Sequence, residues 1–210
     1  TALADRYRNW SMLDQAIETS RRQNEIALRQ LELGTPELAL MQQILSLLLY
    51  PQAGLRASVD VLNANTKGQS TLWAHAISGD LPILLLRIGD VAELPIVLEL
   101  LHAHTYWRSQ QVMIDLVILN LRDSSYSQEI QTQLQRLITR SSSSQWLNQR
   151  GGVFVINADQ MGPEANTLLQ TAARVILDGA KGAIAAQLPS LLARRVSLPL
   201  FIPPLARSDL

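Results

Sequence analysis

The sequence contains no cysteine among its 210 residues. Disulfides, cysteine-ligated zinc sites and thiol nucleophiles are therefore excluded, and the composition is compatible with a reducing compartment. Histidine is also scarce, and His102 and His104 lie two residues apart, so that on a helix they would point to different faces. We expect a solvated or hydrogen-bonded structural role for each histidine, no metal site and no cofactor in these residues.

Charged residues are few, at 17% of the sequence, and the 18 Lys and Arg balance the 18 Asp and Glu. This balance gives no electrostatic footprint for nucleic acid or an anionic membrane. No apolar run approaches the roughly 18 residues that would cross a bilayer, so we expect no direct membrane insertion. Low charge with 47% hydrophobic residues predicts a globular chain whose surface partly meets other protein. Because the first residue is Thr1 rather than Met, we expect a piece of a longer chain.

Several catalytic and nucleotide-binding motifs are missing. After the first predicted strand the sequence reads GDVAEL, which is neither GxGxxG nor GxxxxGK[ST], and this disfavours a Rossmann or P-loop site. HExxH and GxSxG are also absent. Ser70, Ser78, His75 and Asp80 are close in sequence, but catalytic triads are assembled from separate elements, so a triad here is disfavoured. We assign no catalytic residue and no metal ligand.

The first third of the chain has helical periodicity. Residues from about Asp5 to Leu33 predict one long amphipathic helix that ends at Gly34, and Pro36–Leu49 predicts a strongly apolar, buried helix. A third, shorter helix is predicted at Ser58–Ala64. Residues 1–66 are therefore expected to form a helical segment.

The periodicity changes after the loop Asn65–Asp80. Three continuous apolar runs, Leu81–Ile88, Val112–Leu119 and Gly152–Ile156, are typical of strands buried on both faces.

Helical patterns separate and follow these runs, at Val91–Arg108, Ser125–Arg140 and Pro163–Leu177. Strand and helix in alternation predict a parallel sheet with right-handed crossovers. The start of the first of these helices is ambiguous, because Asp90 and Glu93 have capping-box spacing whereas Pro95 favours a later start.

The predicted fold class is α/β, with an N-terminal helical layer followed by a small parallel sheet and flanking helices. The sheet has three strands, or four if the tail 197–204 (SLPLFIPP) adds an edge strand, although its three prolines favour an extended linker. We predict a helical segment at 1–66, a small α/β domain with an ordered loop at its start at 67–190, and an extended exit linker at 191–210.

Polar side chains follow each predicted strand. Asp90, Asn120 and Asp159 come after the three apolar runs, at the carboxyl ends where open α/β sheets usually bind ligands. The alternative is that these residues start loops and cap helices, which Asp and Asn commonly do.

The loop before the first strand carries a tryptophan among polar residues. An indole face stacks on a sugar ring, and nearby polar groups bond its hydroxyls, so Gln69, Ser70, Trp73, His75 and Asp80 are candidate carbohydrate-proximal residues. The alternative is that Trp73 is buried and anchors the loop.

The sequence GQSTLWAHAISGDLPILLLRI (68–88) is accompanied by LLYP (48–51), AHTYWR (103–108), IDLVILN (114–120) and GGVFVINADQM (151–161). In this order the motifs resemble the cyclic β-1,2-glucan synthases and the related 1,2-β-oligoglucan phosphorylases, both with a module of the cellobiose-phosphorylase type. The resemblance covers the chain from the first helix to about Leu188.

The resemblance implies a parent synthase that is membrane-embedded, polymerises UDP-glucose, cyclises the chain and carries a phosphorylase-like module implicated in chain-length control. This chain would be an internal, non-catalytic segment close to the glucan. Its partners would be the β-sandwich and helical-barrel parts of the same parent, and β-1,2-glucan. Its location would be the cytoplasmic side of the bacterial inner membrane, or the cytoplasm for a phosphorylase relative.

The catalytic residues of these relatives lie in the barrel, and none is matched in this sequence. Relatives often have a Trp-Pro-Tyr run where this chain has Trp73-Ala74-His75, so only the tryptophan agrees. The alternative function is an autonomous α/β enzyme or sugar-binding domain with its site at Asp90, Asn120 and Asp159.

Overall fold

The computed structural model describes residues 10–30, 34–122 and 127–188. Its centre is a four-stranded parallel sheet, which confirms the predicted α/β class. The strands are β1 (Ile83–Ile88), β2 (Asp115–Asn120), β3 (Val153–Asn157) and β4 (Val175–Asp178). They are arranged in the order β3-β2-β1-β4, so the two central strands are β2 and β1.

Helices surround the sheet. The α-helices are α1 (Trp10–Gln30), α2 (Thr35–Leu49), α3 (Val59–Ala64), α4 (Ser70–Trp73), α5 (Leu94–Ser109), α6 (Ser127–Arg140), α7 (Pro163–Ala172) and α8 (Ile184–Gln187). Short 3-10 turns lie at Ala53–Leu55, Val91–Glu93, Ser142–Trp146, Ala158–Gln160 and Gly179–Lys181.

The two faces of the sheet are covered by different helices. Leu84 and Leu86 of β1 contribute to a core shared with α2, α5 and α6. Leu85, one residue along, points to the opposite face and to a second core with α4 and α7. Successive connections step from β1 to β2 to β3, and the next crosses back to β4. The carboxyl ends of β1 and β4 therefore flank the position where the strand order reverses.

The apolar helix predicted at Pro36–Leu49 is observed as α2. Met41, Ile44, Leu47 and Leu48 are buried in the same core as β1. Two hydrogen bonds secure it, from Trp107 Nε1 to the Met41 carbonyl at 3.2 Å and from an Arg174 guanidinium nitrogen to the Leu48 carbonyl at 3.1 Å.

The first predicted helix is observed as α1, while residues 5–9 and 31–33 of that prediction lie outside the described residues. The two conflicting signals before α5 are both used. The Asp90 carboxylate accepts from the Ala92 N–H and caps a 3-10 turn, after which Pro95 stands in the first turn of α5.

The helix predicted at Pro163–Leu177 is wrong in its second half. It ends at Ala172, and Val175–Asp178 forms β4 beside β1. Val175 and Leu177 are fully buried between the layers, and burial on this sheet outweighs continuation of the helix. The tail considered as a fourth strand, and the linker at 191–210, lie outside the described residues. The boundaries 1–66 and 67–190 stay predictions.

Candidate functional site

The predicted sugar-facing residues lie in the 68–80 loop, which leads to the amino end of β1. Two apolar side chains fix this loop, because Leu72 is 1% exposed and Ile77 is 0% exposed in the core beneath it. The Ile77 N–H donates to the Leu72 carbonyl at 3.2 Å. Ala76 and Gly79 adopt left-handed backbone conformations, with φ of 62° and 73°, and these turn the chain back towards the sheet. The loop is thus ordered by the sheet face it covers.

Gln69 closes the loop from within. Its Nε2 donates to the Ser78 carbonyl and to Asp80 Oδ1, both at 2.8 Å. Gly79 makes this possible, because a Cβ at that position would lie 2.9 Å from Gln69 Cγ and the positive φ itself favours glycine.

Trp73 is held at the surface of the loop. Its indole N–H donates to the Ser78 carbonyl at 3.2 Å, and the side chain remains 62% exposed. The structure does not show the alternative in which burial of this ring anchors the loop, because Leu72 and Ile77 have that role. A fixed and exposed indole is a flat apolar surface of the kind that stacks on a sugar ring.

The other predicted residues of the loop make fewer hydrogen bonds within it. Asp80 is exposed, and its backbone N–H donates to Ser78 Oγ at 3.3 Å. Ser70 is exposed and His75 is half-buried, and neither side chain has a hydrogen bond to another described residue. The structure therefore brings Gln69, Trp73 and Asp80 together through Ser78, whose carbonyl the sequence did not single out.

The second predicted site lies at the opposite end of the sheet. Asp90 and Asn120 are brought together through Arg122. Its guanidinium lies 3.6 Å from Asp90 Oδ2, and its backbone N–H donates to Asn120 Oδ1 at 3.1 Å. Asn120 Nδ2 donates to Asn157 Oδ1 at 3.2 Å. Asp159 stands in an exposed 3-10 turn and makes no hydrogen bond or ion pair with Asp90 or Asn120.

Asn157 is a member of this cluster that the sequence analysis missed, although it is the last residue of β3 as Asn120 is the last residue of β2. Both asparagines are buried, at 7% and 0% exposure. Buried amides need partners, and these two supply one for each other. This arrangement links neighbouring strand ends and uses part of the hydrogen-bonding capacity that a ligand would need.

The turn after β1 is filled by a carboxylate of the chain itself. Glu93 Oε2 accepts from the Gly89 N–H at 2.8 Å, where a nucleotide-binding fold would present this N–H to a phosphate. A Cβ at Gly179 would clash with the same carboxylate. The side chain of Glu93 therefore occupies the space between the ends of β1 and β4.

A buried polar network links the amino ends of β2 and β3. Asp115 Oδ1 accepts from the Gly151 N–H at 2.8 Å, and the Gly151 carbonyl accepts from His104 Nε2 at 3.0 Å. His104 Nδ1 then accepts from the Ser143 hydroxyl at 2.9 Å, since the acceptor on Nε2 fixes the neutral tautomer. Asp115 Oδ2 is buried and has no partner in the described part of the chain.

Both titratable groups of this network are perturbed. Burial lowers the pKa of His104 from 6.5 to about 4, assisted by the charge of Arg108 and opposed by the Gly151 hydrogen bond. Burial raises the pKa of Asp115, opposed by the Gly151 N–H and Arg150 and assisted by Asp80. The full burial of His104 and its hydrogen bonds give it the structural role that we expected, whereas His102 is half-buried on α5.

The described residues include no group of three or more His, Asp or Glu side chains placed to hold a metal ion. Among the helices with known bounds, none has the length and apolar character required to cross a membrane.

These features define a parallel α/β unit with a tryptophan-bearing loop at the amino end of its sheet and mutually bonded polar groups at the carboxyl end. No family model matches the chain.

Over 198 residues, or 92% of its length, the chain is 33% identical to the cyclic beta-(1,2)-glucan synthase NdvB of Rhizobium meliloti (strain 1021). It spans 7% of the length of that relative. The resemblance to the cyclic β-1,2-glucan synthases is confirmed, and the chain corresponds to an internal segment of such a protein.

Proposed function

We propose that this chain is a non-catalytic, carbohydrate-proximal segment of a β-1,2-glucan synthase or a related phosphorylase, and that the 68–80 loop contacts the glucan. The observation that carries the proposal is the exposed indole of Trp73, held in place by its own N–H. Such a surface offers a sugar ring an apolar face without an ordering cost at the moment of binding.

The polar groups beside the ring fit the same purpose. Asp80 is exposed, and its Oδ1 accepts a hydrogen bond from Gln69. The second carboxylate oxygen of Asp80, Oδ2, makes no hydrogen bond to another described residue. A carboxylate oxygen accepts hydrogen bonds from sugar hydroxyls, and its position relative to Trp73 is fixed through Ser78. A stacking surface and a hydrogen-bond acceptor would therefore be offered by groups that are joined through Ser78.

The proposed role assigns no catalysis to this segment. Glycoside hydrolysis commonly uses two carboxylates on either side of the scissile bond, and Asp80 is the one acidic residue of the 68–80 loop. We infer that the reactive groups belong to other domains of the same parent. Those domains would be the β-sandwich and helical-barrel parts, at the cytoplasmic side of the inner membrane. The segment would then serve glucan synthesis or the control of chain length by holding the glucan.

The test is isothermal titration calorimetry of the chain with β-1,2-glucooligosaccharides, because the substitution of a tryptophan would also remove a fluorescence signal. We expect saturable binding that Trp73→Ala abolishes. Trp10→Ala is the matched control, since Trp10 is 78% exposed on α1 and should be dispensable. Equal binding by the two variants would contradict the proposal, as would phosphorolysis or glucan synthesis by this chain alone.

The second candidate is an autonomous sugar-binding or enzymatic domain with its site at Asp90, Asn120 and Asp159. The contacts of Arg122 with Asp90 and Asn120 favour it, because they place a cation and a carboxylate at one edge of the sheet. Glucan binding that survives Trp73→Ala and is lost in Asp90→Ala or Asp159→Ala would support this candidate over the first.

A further inference from the structure

A cleft with an excess of positive charge lies on the α7 face of the sheet, beside β4. We call it the Arg87 cleft, and its volume is about 320 Å³. Its polar lining comes from the side chains of Arg56, Ser58, Arg87, Gln170, Asp178 and Lys181. Leu55, Val61 and Ile176 add apolar wall. Three stretches of the chain that are distant in sequence, 54–61, the strand around Arg87 and 170–181, therefore meet around one space.

The register of the sheet places the two central charges of this cleft. Arg87 is opposite Asp178 in the pairing of β1 with β4, and their side chains form an ion pair on the same face. Asp178 uses both oxygens, since Oδ2 accepts from Arg87 and Oδ1 accepts from the Ala180 N–H at 3.2 Å. The one carboxylate of the cleft is thus engaged within the protein.

The cations of the cleft have donors that remain unused. Arg87 Nε is buried and has no hydrogen-bond partner among the described residues, which is unusual for a buried donor. One guanidinium nitrogen of Arg56 donates a hydrogen bond to the Thr171 carbonyl at 3.1 Å. Lys181 has no ion-pair partner in the part of the chain that the structure describes. Three cations against one carboxylate leave an excess of two positive charges.

We propose that the Arg87 cleft binds a monophosphate group. Guanidinium forks match phosphate oxygens in pairs, and a lysine adds a mobile charge, so this donor set fits a compact dianion. The volume is near the lower end for ligand sites, which suits inorganic phosphate or the phosphate ester of a single sugar and leaves little space for a dinucleotide. The apolar wall would lie against the body of an ester.

This site is separate from the sugar-binding surface proposed at Trp73. Arg87 comes four residues after Ile83 on β1, a distance of about 13 Å along an extended strand, whereas the 68–80 loop precedes the strand. No residue of the 68–80 loop lines the Arg87 cleft. Phosphate binding at the cleft and glucan binding at Trp73 can therefore fail independently of each other.

The test is calorimetric titration of the 210-residue chain with inorganic phosphate and with glucose 6-phosphate. Glucose serves as the uncharged control, and circular dichroism verifies that each protein is folded. We expect saturable binding of at least one phosphate probe, no binding of glucose at this cleft, and weaker binding as sodium chloride screens the charges. Tighter binding of glucose 6-phosphate would identify an ester as the ligand, and equal binding would identify the phosphate group alone.

The variant that tests the site most directly is Lys181→Gln, because no described contact is lost with it. We expect phosphate affinity to fall about tenfold, the effect of losing one charge-assisted hydrogen bond. Lys67→Gln is the matched control. Lys67 pairs with Glu164 outside the cleft, and its loss should leave phosphate affinity unchanged.

A second variant, Arg87→Lys, retains the charge that faces Asp178 but removes the guanidinium fork, so the protein should fold and bind phosphate less tightly. The proposal is overturned if the folded chain binds neither phosphate probe. It is equally overturned if Lys181→Gln and Lys67→Gln weaken binding to the same extent, because that result would reflect net charge alone.

Discussion

The two ends of the sheet use polar side chains in different ways. At the amino end, Gln69 and Trp73 bond to the Ser78 carbonyl, so they fix the loop while the indole stays exposed. At the carboxyl end, Asn120 and Asn157 bond to each other, and Glu93 fills the turn after β1. A polar residue at a strand end is therefore weak evidence for a ligand site, whereas an apolar ring held at the surface is stronger evidence.

The largest effect is expected where the amino-end loop is anchored. Leu72→Ala removes a side chain that is 1% exposed beneath the 68–80 loop, and its loss should lower the free energy of unfolding by about 2–5 kcal/mol. Urea denaturation measures this change. The control is Leu98→Ala, at a site 40% exposed on α5, which should cost far less. Equal costs would mean that the loop is anchored elsewhere.

The buried network at the amino ends predicts a dependence of stability on pH. His104 has a pKa of about 4 when folded against 6.5 when unfolded, so the unfolded chain binds more protons between these values. The contribution of neutral His104 to the free energy of unfolding should be complete above pH 6.5. The free energy of unfolding should fall by about 3 kcal/mol as the pH drops from 6.5 towards 4.

The raised pKa of Asp115 acts in the opposite direction, because its protonation stabilises the fold as pH falls. The two contributions are separated by repeating the denaturation series with His104→Gln, which keeps a donor for Gly151 and an acceptor for Ser143. The loss of stability between pH 6.5 and 4 should disappear or reverse in this variant. An unchanged slope would assign the pH dependence to other groups.

At the carboxyl end, Asn120→Ala tests whether the amide pair is structural. The substitution leaves Asn157 buried with one partner fewer, and we expect a loss of about 1–3 kcal/mol in the free energy of unfolding. Asp159→Ala, in an exposed turn, should change it by less than about 0.5 kcal/mol. If the two variants were equally stable, the carboxyl end would have no structural need for this pair and a ligand role would gain support.

The smallest effect is expected at Gly79. Gly79→Ala introduces a Cβ at a φ of 73° and close to Gln69, which should cost about 1–2 kcal/mol and loosen the Gln69 contacts. The paired control is Gly54→Ala, because no atom lies within 4 Å of a Cβ at that glycine and its φ is not in the left-handed region. Thermal denaturation of the two variants measures the difference, and similar midpoints would contradict a special role for the turn.

The elements with strong local patterns could be predicted from the sequence. The continuous apolar runs predicted strands where the structure has β1, β2 and β3. The wide apolar surface of α2 predicted that this helix is buried. The fourth strand was missed because Val175, Ile176 and Leu177 continue the apolar pattern of α7, and periodicity alone does not separate a short buried strand from a helix end. What decides this case is the register with β1, a contact distant in sequence.

The candidate sites show the same limit. Asp90 and Asp159 lie just after β1 and β3, and Asn120 is the last residue of β2. The sequence could not show that Arg122 and Asn157 would bond two of these three residues. The exposure of Trp73 was also beyond prediction, since Leu72 next to it takes the buried position. The Arg87 cleft could not be predicted either, because it joins residues of α3, β1 and β4 that have no common motif.

The contact between Glu93 and Gly179 makes these two positions interdependent in any variant of this chain. A side chain at 179 and the carboxylate at 93 compete for one volume, so a larger residue at 179 becomes tolerable only when residue 93 is shortened. Shortening residue 93 in turn deprives the Gly89 N–H of its acceptor. Substitutions at positions 89, 93 and 179, where the strand order reverses, would therefore be tolerated together rather than singly.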